Sequence, residues 1–152
     1  MMLEQALPGD REAVNALALQ VHRLHLRWRP DIYTDTASLY PPERFSEERE
    51  AGHLYVVRQE GGVVAYVRLL TSEIRHPGLV KRKILSLDEL CVDESCRHHG
   101  LGRAILEEVR LLGIRLGCTD MQLSCDCHND PAIALYEGFG MEAKSVHYQR
   151  KL

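Results

Sequence analysis

The stretch VDESCRHHGLGRAI, residues 92–105, places a polar loop with arginine, histidine and two glycines between an apolar run and a helical pattern. The preceding run ILSLDELCV, residues 84–92, predicts a strand. The following residues predict a helix that ends at Gly117, with an apolar stripe formed by Ile105, Val109, Leu112 and Leu116. A helix N-terminus after a glycine loop offers unpaired N–H groups and a positive dipole end. The loop therefore suits a phosphate or pyrophosphate.

Two other kinds of phosphate loop do not match these residues. A P-loop requires Gly-Lys-Ser/Thr, whereas Gly102 is followed by Arg103 and Ala104. A dinucleotide-binding loop requires a third glycine where Ile105 stands, and about fifty remaining residues are too few for the βα units behind it. The P-loop is therefore rejected, and the dinucleotide-binding loop matches these residues poorly.

The chain upstream of the loop predicts a mixed order of elements. LEQAL (3–7) predicts a short strand, and apolar residues at helical spacing predict a helix that ends before Pro30. PERFSEERE (42–50) predicts a second helix, opened by proline. HLYVVRQEGGVVAYVRLL (53–70) predicts a hairpin, and the polar residues 71–83 predict a turn-rich connection.

Downstream of the loop, CTDMQLSC (118–125) predicts a strand and NDPAIALYEGFG (129–140) a helix with proline in its first turn. MEAKSVHYQRKL (141–152) predicts a terminal pair of strands. The whole order is β, α, α, β, β, β, α, β, α, β, β. Residues 1–152 are expected to form one mixed α/β domain.

Composition excludes several classes of partner. With 45% hydrophobic and 27% charged residues and a net charge of −3, the chain has no overall field that attracts nucleic acid or an anionic membrane. It shows neither a basic leader nor an apolar run of about 18 residues, so we expect a cytoplasmic protein with no membrane partner. The odd number of cysteines, five, favours reduced thiols. CDCH (125–128) lacks the usual zinc spacing, so no metal is expected.

The loop resembles a family signature. Arg97-His98-His99-Gly100-Leu101-Gly102 is similar to the Arg/Gln-x-x-Gly-x-Gly/Ala motif of the GCN5-related N-acetyltransferases (GNAT). The resemblance extends from LDELCVD to NDPAIALYEGFGM, about the last 65 residues, and the order of elements is also that of the family. It implies a GNAT-type acyl-CoA N-acyltransferase fold, α/β, with a central mixed sheet of about six to seven strands flanked by four helices.

The resemblance also implies a cosubstrate, acetyl-CoA. In the family the loop amides hold the pyrophosphate, and the strand before the loop carries a bulge and separates from the next strand to seat pantetheine. The implied cofactor-binding residues are Leu90, Cys91 and Val92 on the strand, and Arg97, His98, His99, Gly100, Leu101, Gly102 and Arg103 in the loop. Asn129 matches a cofactor-contacting asparagine, although a plain helix cap is an equal alternative.

Tyr136 matches the tyrosine that the family places near the sulfur as general acid. The ordinary pKa of a phenol, about 10, lies above that of a thiol, about 8.5, so a phenol stays protonated while the thiolate forms. Tyr136 also contacts the cofactor in this reading. Glu89 is the first choice as general base, because alternation points it away from Asp88 and Leu90. A solvated strand glutamate remains the alternative for Glu89, and a core aromatic for Tyr136.

The resemblance implies that the acceptor lies against residues 25–50, with Trp28, Asp31 and Tyr33 as substrate-binding residues and Tyr40 and Asp35 nearby, although a solvated loop is an equal alternative. The resemblance implies direct transfer of an acetyl group from acetyl-CoA to a primary amine of a small molecule or peptide. Ser124 stands where relatives that acetylate protein N-termini carry a glutamate, which disfavours a ribosomal protein as substrate. The alternative function is a catalytically silent acyl-CoA-binding sensor. The exposed terminal strands make a homodimer possible.

Overall fold

The computed structural model describes residues 2–152 and contains five strands and four α-helices. Their bounds are β1 (Glu4–Gln5), α1 (Arg11–Trp28), α2 (Pro42–Glu50), β2 (Leu54–Gln59), β3 (Gly62–Ile74), β4 (Arg82–Val92), α3 (Leu101–Arg115), β5 (Asp120–Gln122) and α4 (Asp130–Gly138). Short 3₁₀ turns precede α1 and follow β4. The mixed class and the four helices expected from the sequence are confirmed.

The strands form one sheet in the order β1-β2-β3-β4-β5. Neighbours from β1 to β4 are antiparallel, and β5 alone runs parallel to its neighbour β4. Between β2 and β3 the chain turns at Glu60 and Gly61, which have φ angles of 50° and 80°. Two successive left-handed residues give the twist that a tight hairpin needs, so the predicted hairpin is confirmed.

Helices cover both faces of the sheet, and each face has its own core. On one face α1 and the loop before α2 pack on the sheet around Val14, Leu17, Tyr40, Phe45, Leu54, Val56, Tyr66 and Cys91. On the other face α3 packs on it around Val57, Ala65, Val67, Leu85, Leu87, Ile105, Leu106 and Val109. Alternation along β3 sends Tyr66 to the first core and Ala65 and Val67 to the second.

Two predictions about strands are wrong. Residues 141–152 form no strand pair, so the sheet has five strands instead of six to seven. The exposed residues 142–152 find no backbone partner within the described part of the chain. The polar residues 71–83 are not all connection, because β3 continues to Ile74 and β4 begins at Arg82. Glu73 pairs with Lys83, and Ile74 with Arg82, at the far end of this ladder.

Among residues 2–152, no helix combines the length and the apolar character that a membrane span requires.

Candidate active site

Strands β4 and β5 pair briefly and then separate. Ile84–Ser86 pair with Asp120–Gln122, and beyond them β4 keeps only β3 as a neighbour. The register of β3 and β4 shifts between Arg68 and Leu69, so Asp88 is an extra residue on β4, a bulge. We call the opening between residues 87–92 and 123–128 the fork. The bulge and the separation match the sequence expectation.

The edge of β4 faces the fork with free backbone groups. The Asp93 N–H donates to Val64 on β3 at 2.8 Å. Because backbone groups alternate along an extended strand, those of Val92 and Leu90 then point away from β3, towards the fork. Arg97 Nε donates to the Val92 carbonyl at 2.8 Å, which leaves the N–H groups of this edge available.

The glycine loop presents a row of unengaged amides. From Arg97 to Arg103, no backbone N–H donates to any acceptor within residues 2–152, and the first helical bond runs from Ala104 N to Gly100 O at 3.1 Å. His98 and Gly100 have φ angles of 65° and 81°. Successive amides in such a turn form a concave nest that suits an anion.

The two glycines of the loop serve different purposes. At Gly100 an added Cβ would meet nothing within 4 Å, so its positive φ is what requires glycine. At Gly102 an added Cβ would lie 3.0 Å from Leu135 Cδ2 of α4. A side chain at 102 would therefore face the contact with α4 and would not stand between the amides and an anion.

Both loop arginines contact the protein. Arg97 also donates to Gln20 Oε1 of α1 at 3.3 Å. Gln20 in turn donates to Asp93 at 3.1 Å and accepts from the Glu94 N–H at 3.0 Å, so α1 fixes the start of the loop. Arg103 donates to the Gly138 carbonyl at 2.8 Å and lies over the Phe139 ring, at the end of α4.

An open depression of about 480 Å³ adjoins the start of α3. His99, Gly100 and Leu101 line it together with Cys96 and Ala104. The concave surface thus lies against the same segment that carries the unengaged amides.

Tyr136 of α4 lies at the fork. Its side chain packs on the core that contains Leu90 and Val92. Burial raises the pKa of Tyr136 to about 12, and the nearby thiols of Cys125 and Cys91 add to the rise. The same core includes Leu90 of β4 and Leu123 beyond β5, so the ring lies near both sides of the fork, and the phenol stays protonated at neutral pH.

Asn129 caps α4. Its side-chain oxygen accepts from the Ala132 N–H at 3.3 Å. The helix-cap alternative is thus what the geometry displays, and the side-chain NH₂ group has no partner within the described residues.

Glu89 is held by two tyrosines and an arginine. Its Oε2 accepts from the Tyr40 hydroxyl and, at 3.1 Å, from the Tyr66 hydroxyl. Arg44 lies 3.4 Å from Oε1 and stacks 4.1 Å from the centre of the Tyr40 ring. Burial first, and then the Glu89 carboxylate, raise the pKa of Tyr40, so this hydroxyl remains a donor.

Glu89 nevertheless stays accessible, with 26% of its side chain exposed. It shares the α1 face of the sheet with Tyr66 and Cys91, whereas Leu90 and Val92 pack with Tyr136 on the other face. Burial raises the pKa of the Cys91 thiol to about 12, so this cysteine is a poor nucleophile. The fork therefore has the Glu89 carboxylate on the α1 face of the sheet and the Tyr136 phenol on the α3 face.

Aromatic rings line the open end of the fork. Trp28 stacks with His128 at 6.3 Å between ring centres, and Tyr33 stacks with His25 at 5.1 Å. Asp31 instead forms two hydrogen bonds with Arg29, of 2.7 and 2.9 Å, which neutralise its charge locally. Trp28 and Tyr33 are thus brought together through His25, and Asp31 is not part of this wall.

Possible metal ligands cluster at Asp126, Cys127 and His128, whose ligand atoms lie within 4.8 Å of one another. The Asp126 carboxylate accepts from both the N–H and the ring of His128 at 2.8 Å. These two hydrogen bonds already hold the Asp126 carboxylate in place.

The sequence reasoning missed Tyr66 and Gln20, and it did not connect Tyr40 with Glu89. The aromatic wall did have a readable signal. His22, His25 and Trp28 are spaced by three on one helix, which places their rings on a common face. The pairing of Tyr66 with β4 had no such signal, because it depends on the register of two strands.

Comparison with known proteins agrees with this geometry. The acetyltransferase (GNAT) family model matches residues 19–141. A Bacillus subtilis (strain 168) protein named "Putative phosphinothricin acetyltransferase YwnH" is 30% identical over 112 residues, 72% of this chain and 67% of that protein. A mutant of the BH1408 protein from Bacillus halodurans is 29% identical and superposes with a TM-score of 0.91 over 100% of this chain and 99% of that one.

A more distant solved structure, aminoglycoside N-acetyltransferase AAC(6')-Iy in complex with CoA, shares the fold. It is 17% identical, with a TM-score of 0.72 over 98% of this chain and 93% of that chain. The family match covers most of the chain, and the fork and the glycine loop lie inside it. The chain therefore belongs to the acetyltransferase (GNAT) family.

Proposed function

We propose that this acetyltransferase moves an acetyl group from acetyl-CoA to a primary amine of a small molecule or peptide, by direct transfer in a ternary complex. The observation that carries the proposal is the row of unengaged amides from Arg97 to Arg103 beside a free edge of β4. A diphosphate fits the first feature, and an extended amide-bearing chain fits the second.

In this proposal the N–H groups of 97–103 bind the pyrophosphate, with Gly100 giving the turn its shape. The backbone groups of Leu90 and Val92 pair with the pantetheine arm in the fork, whereas those of Cys91, which the sequence analysis also assigned to the cosubstrate, point towards β3 by the same alternation. Arg97 binds the Val92 carbonyl. Arg103 binds the Gly138 carbonyl and therefore acts on the site through α4. Asn129 offers its free amide NH₂ group to the same cosubstrate.

The neutral amine nitrogen attacks the thioester carbonyl, and a C–N bond forms as the C–S bond breaks. The sulfur leaves with the electron pair of the C–S bond, and Tyr136 supplies the proton that converts it to a thiol. A backbone N–H of the β4 edge faces the developing oxyanion. The proton lost by the amine goes to Glu89, directly or through one water, and passes to solvent, from which the Tyr136 phenolate regains a proton.

Glu89 suits the role of base because it is anchored but still reachable. The Tyr40 and Tyr66 hydroxyls hold Oε2, so Oε1, which lies 3.4 Å from Arg44, is presented in a fixed direction. Tyr40 and Tyr66 act through Glu89 and are positioning residues.

The proposed acceptor site is the aromatic wall of Trp28 and Tyr33 with His25 and His128. Flat rings favour an amine that carries apolar or cationic surface beside its nitrogen. Asp31 is paired with Arg29 and lies outside this wall. The relatives named for phosphinothricin and aminoglycosides support small amines as the first compounds to test.

Two measurements test this function. Isothermal titration of the purified protein with acetyl-CoA and with dephospho-CoA reports binding, and thiol release across a panel of amines reports transfer. Acetyl-CoA binding with turnover of at least one amine supports the enzyme. Binding without turnover across amino acids, polyamines, aminoglycosides and peptides supports the sensor instead, and no binding removes both.

We also propose a cytoplasmic location and a homodimer. The five free cysteines support the first, since none forms a disulfide. The homodimer would use the C-terminal residues 142–152, which are exposed and have no backbone partner within the described chain.

A further inference from the structure

Two residues of β4 lie opposite one residue of β3 at the bulge. Glu89 is the register partner of Arg68, and Leu87 is that of Leu69, so Asp88 is the extra residue. A bulge of this kind bends its strand and interrupts the alternation of faces. The bulge therefore decides which face of the sheet the later residues of β4 occupy.

The apolar residues on either side of the bulge show this change of face. Leu85 and Leu87, before the bulge, pack in the core under α3, and so do Leu90 and Val92 after it. The residues of this face are thus odd-numbered before the bulge and even-numbered beyond it. Without the extra residue, strict alternation would turn Glu89 towards α3.

Arg68 faces the bulge from β3. Its neighbours Val67 and Leu69 belong to the α3 core, so alternation places the arginine on the opposite face, which α1 and α2 cover. Its Nη1 donates to the Asp88 carboxylate at 2.5 Å. Asp88 thus reaches an arginine on the face that also carries Glu89, and the alternation expected between these two residues does not hold at the bulge.

The same arginine is bound by α2. Nε and Nη2 of Arg68 donate to the two carboxylate oxygens of Glu48, each at 2.9 Å. Arg68 lowers the pKa of Glu48 to about 2, so this pair stays ionised at neutral pH. All three guanidinium nitrogens are engaged by carboxylates of the protein, and only 16% of the side chain is exposed. Arg68 therefore links α2 to the bulge and is not placed to bind a ligand.

α2 also contacts the second residue of the bulge. Arg44 stands one helical turn before Glu48 on this helix and lies 3.4 Å from the Glu89 carboxylate. Positions four apart on a helix share a face, so one face of α2 contacts Glu89 directly and Asp88 through Arg68. The two residues of the bulge are thus held by the same helix.

We propose that Arg68 is a positioning residue for the transfer of the acetyl group: it fixes the bulge of β4, and through the bulge it fixes the direction of the Glu89 carboxylate. This inference rests on the proposed function, in which Glu89 accepts the proton of the amine. A displacement of about 1 Å in such a group is enough to lower a rate strongly. The arginine contacts neither substrate and acts only through the strand.

The shape of the arginine side chain is essential to this role. A guanidinium holds one carboxylate through two nitrogens and a second carboxylate through the third, because its donors are fixed in one plane. A lysine ammonium keeps the charge but is a compact donor on a flexible stem. We therefore expect the conservative variant Arg68→Lys to release the bulge while the net charge stays the same.

Steady-state kinetics give the first readout. Arg68→Lys is expected to lower kcat about tenfold and to change the KM for acetyl-CoA less than about twofold, since Leu90 is held separately by the α3 core. Asp88→Ala removes only the contact at the bulge and keeps the pair of Arg68 with Glu48. It is expected to lower kcat about threefold with little change in melting temperature, so it separates the role from a general loss of folding.

Arg58 on β2 provides the matched control. It also bridges two acids, with hydrogen bonds of 2.9 and 2.6 Å to Asp10 and one of 3.3 Å to Glu4, and 24% of its side chain is exposed. Its strand is not a neighbour of β4. Arg58→Lys is therefore expected to lower the melting temperature and to leave kcat unchanged. An equal loss of kcat in both lysine variants would overturn the proposal.

A double-mutant cycle tests whether Arg68 acts through Glu89. In the Glu89→Gln background, Arg68→Lys is expected to leave kcat within about twofold of that of Glu89→Gln alone. A further tenfold loss in that background would overturn the role of Arg68 but not that of the base. Unchanged kcat in Glu89→Gln itself would overturn the proposed base and this role with it, so the two failures are distinguishable.

Nuclear magnetic resonance tests the effect on the bulge without activity. The amide proton and nitrogen resonances of residues 87–92 are expected to shift in Arg68→Lys and in Asp88→Ala, and to keep their wild-type positions in Arg58→Lys. Wild-type positions of these resonances in both bulge variants would contradict the proposal.

Discussion

The hydroxyl of Tyr66 on β3 donates to Glu89 on β4 at 3.1 Å, although 23 residues separate them in the chain. Tyr66 pairs directly with Cys91, so Glu89 is its diagonal neighbour on the same face. The register of the two strands thus sets the position of the carboxylate. A slip of one residue would send Glu89 to the opposite face of the sheet.

Glu89→Gln is expected to lower kcat about 100-fold, because the amide keeps the shape of the side chain and cannot take a proton. Steady-state rates at pH 7 check this. An unchanged kcat in the variant would assign the base elsewhere.

Tyr66→Phe and Tyr40→Phe test positioning. Each removes one hydrogen bond to Glu89, a loss of about 1 kcal/mol, so kcat is expected to fall about fivefold with little change in the KM for acetyl-CoA. Tyr55→Phe, on a half-buried tyrosine of β2 that packs in the other core, is the matched control. If the variants only lowered the melting temperature and left kcat unchanged, the tyrosines would be structural.

Tyr136→Phe is expected to lower kcat about 100-fold and to leave acetyl-CoA binding nearly intact. Because burial raises the pKa of Tyr136 to about 12, the acid stays protonated below that pH. Wild-type activity should therefore show no loss near pH 10 from this group. Calorimetric titration with acetyl-CoA tests the binding of the variant, and wild-type rates at alkaline pH test the protonation of Tyr136. Unchanged turnover in the variant would refute the acid role.

Gly100→Ala is expected to weaken acetyl-CoA binding about tenfold, since a left-handed φ of 81° costs an L-residue about 1 kcal/mol or more. Gly138→Ala is the control, because its Cβ would also meet nothing within 4 Å and its φ is not positive. Calorimetry measures both. Equal affinities would mean that the turn does not shape the anion site.

Gly102→Ala should act on packing. Its methyl group would lie 3.0 Å from Leu135 Cδ2, and such overpacking costs about 1–3 kcal/mol. The double variant Gly102→Ala, Leu135→Ala is expected to recover part of that stability in a double-mutant cycle. Additive losses in denaturant unfolding would contradict the contact.

Most of the fold was predictable because it follows local patterns. The periods of α1 and α3, the hairpin at Glu60–Gly61 and the strand before the glycine loop are all encoded within short windows. The failure at residues 141–152 has the opposite cause. Alternation there indicates a strand, but a strand needs an edge to pair with, and no local pattern states which chain provides it.

The candidate site divides in the same way. The loop and Tyr136 were predictable from a contiguous motif. The anchoring of Glu89 was not, because Tyr40 lies 49 residues away in a loop without periodicity and is nevertheless fully buried. Only the packing of that loop beneath the sheet makes Tyr40 a partner of Glu89.

Glu48 gives the protein a defined sensitivity to acid. It accepts two hydrogen bonds of 2.9 Å from Arg68 and one of 2.8 Å from His53, and Arg68 lowers the pKa of Glu48 to about 2 from 4.5. A lowered native pKa stabilises the fold above pH 4.5, and this contribution is lost as pH falls towards 2. Glu48→Gln should therefore lower the melting temperature by about 4 °C at pH 7, with the difference vanishing near pH 2. Glu107→Gln, in an exposed pair with Arg110, should change little at either pH.

Chelation should leave the protein unchanged. The backbone N–H and the ring of His128 already satisfy the Asp126 carboxylate, so EDTA is expected to shift the melting temperature by less than about 1 °C. A large drop that added zinc reverses would instead identify a structural metal.

The separation of β4 from β5 also bears on how the protein behaves in the cell. Residues 87–92 form a strand edge that is free of a strand neighbour on one side, and such edges promote aggregation. A cosubstrate arm lying along this edge would shield it much as an added strand does. Solubility during expression would then increase with the supply of coenzyme, because the bound cosubstrate would keep this edge from pairing with another chain.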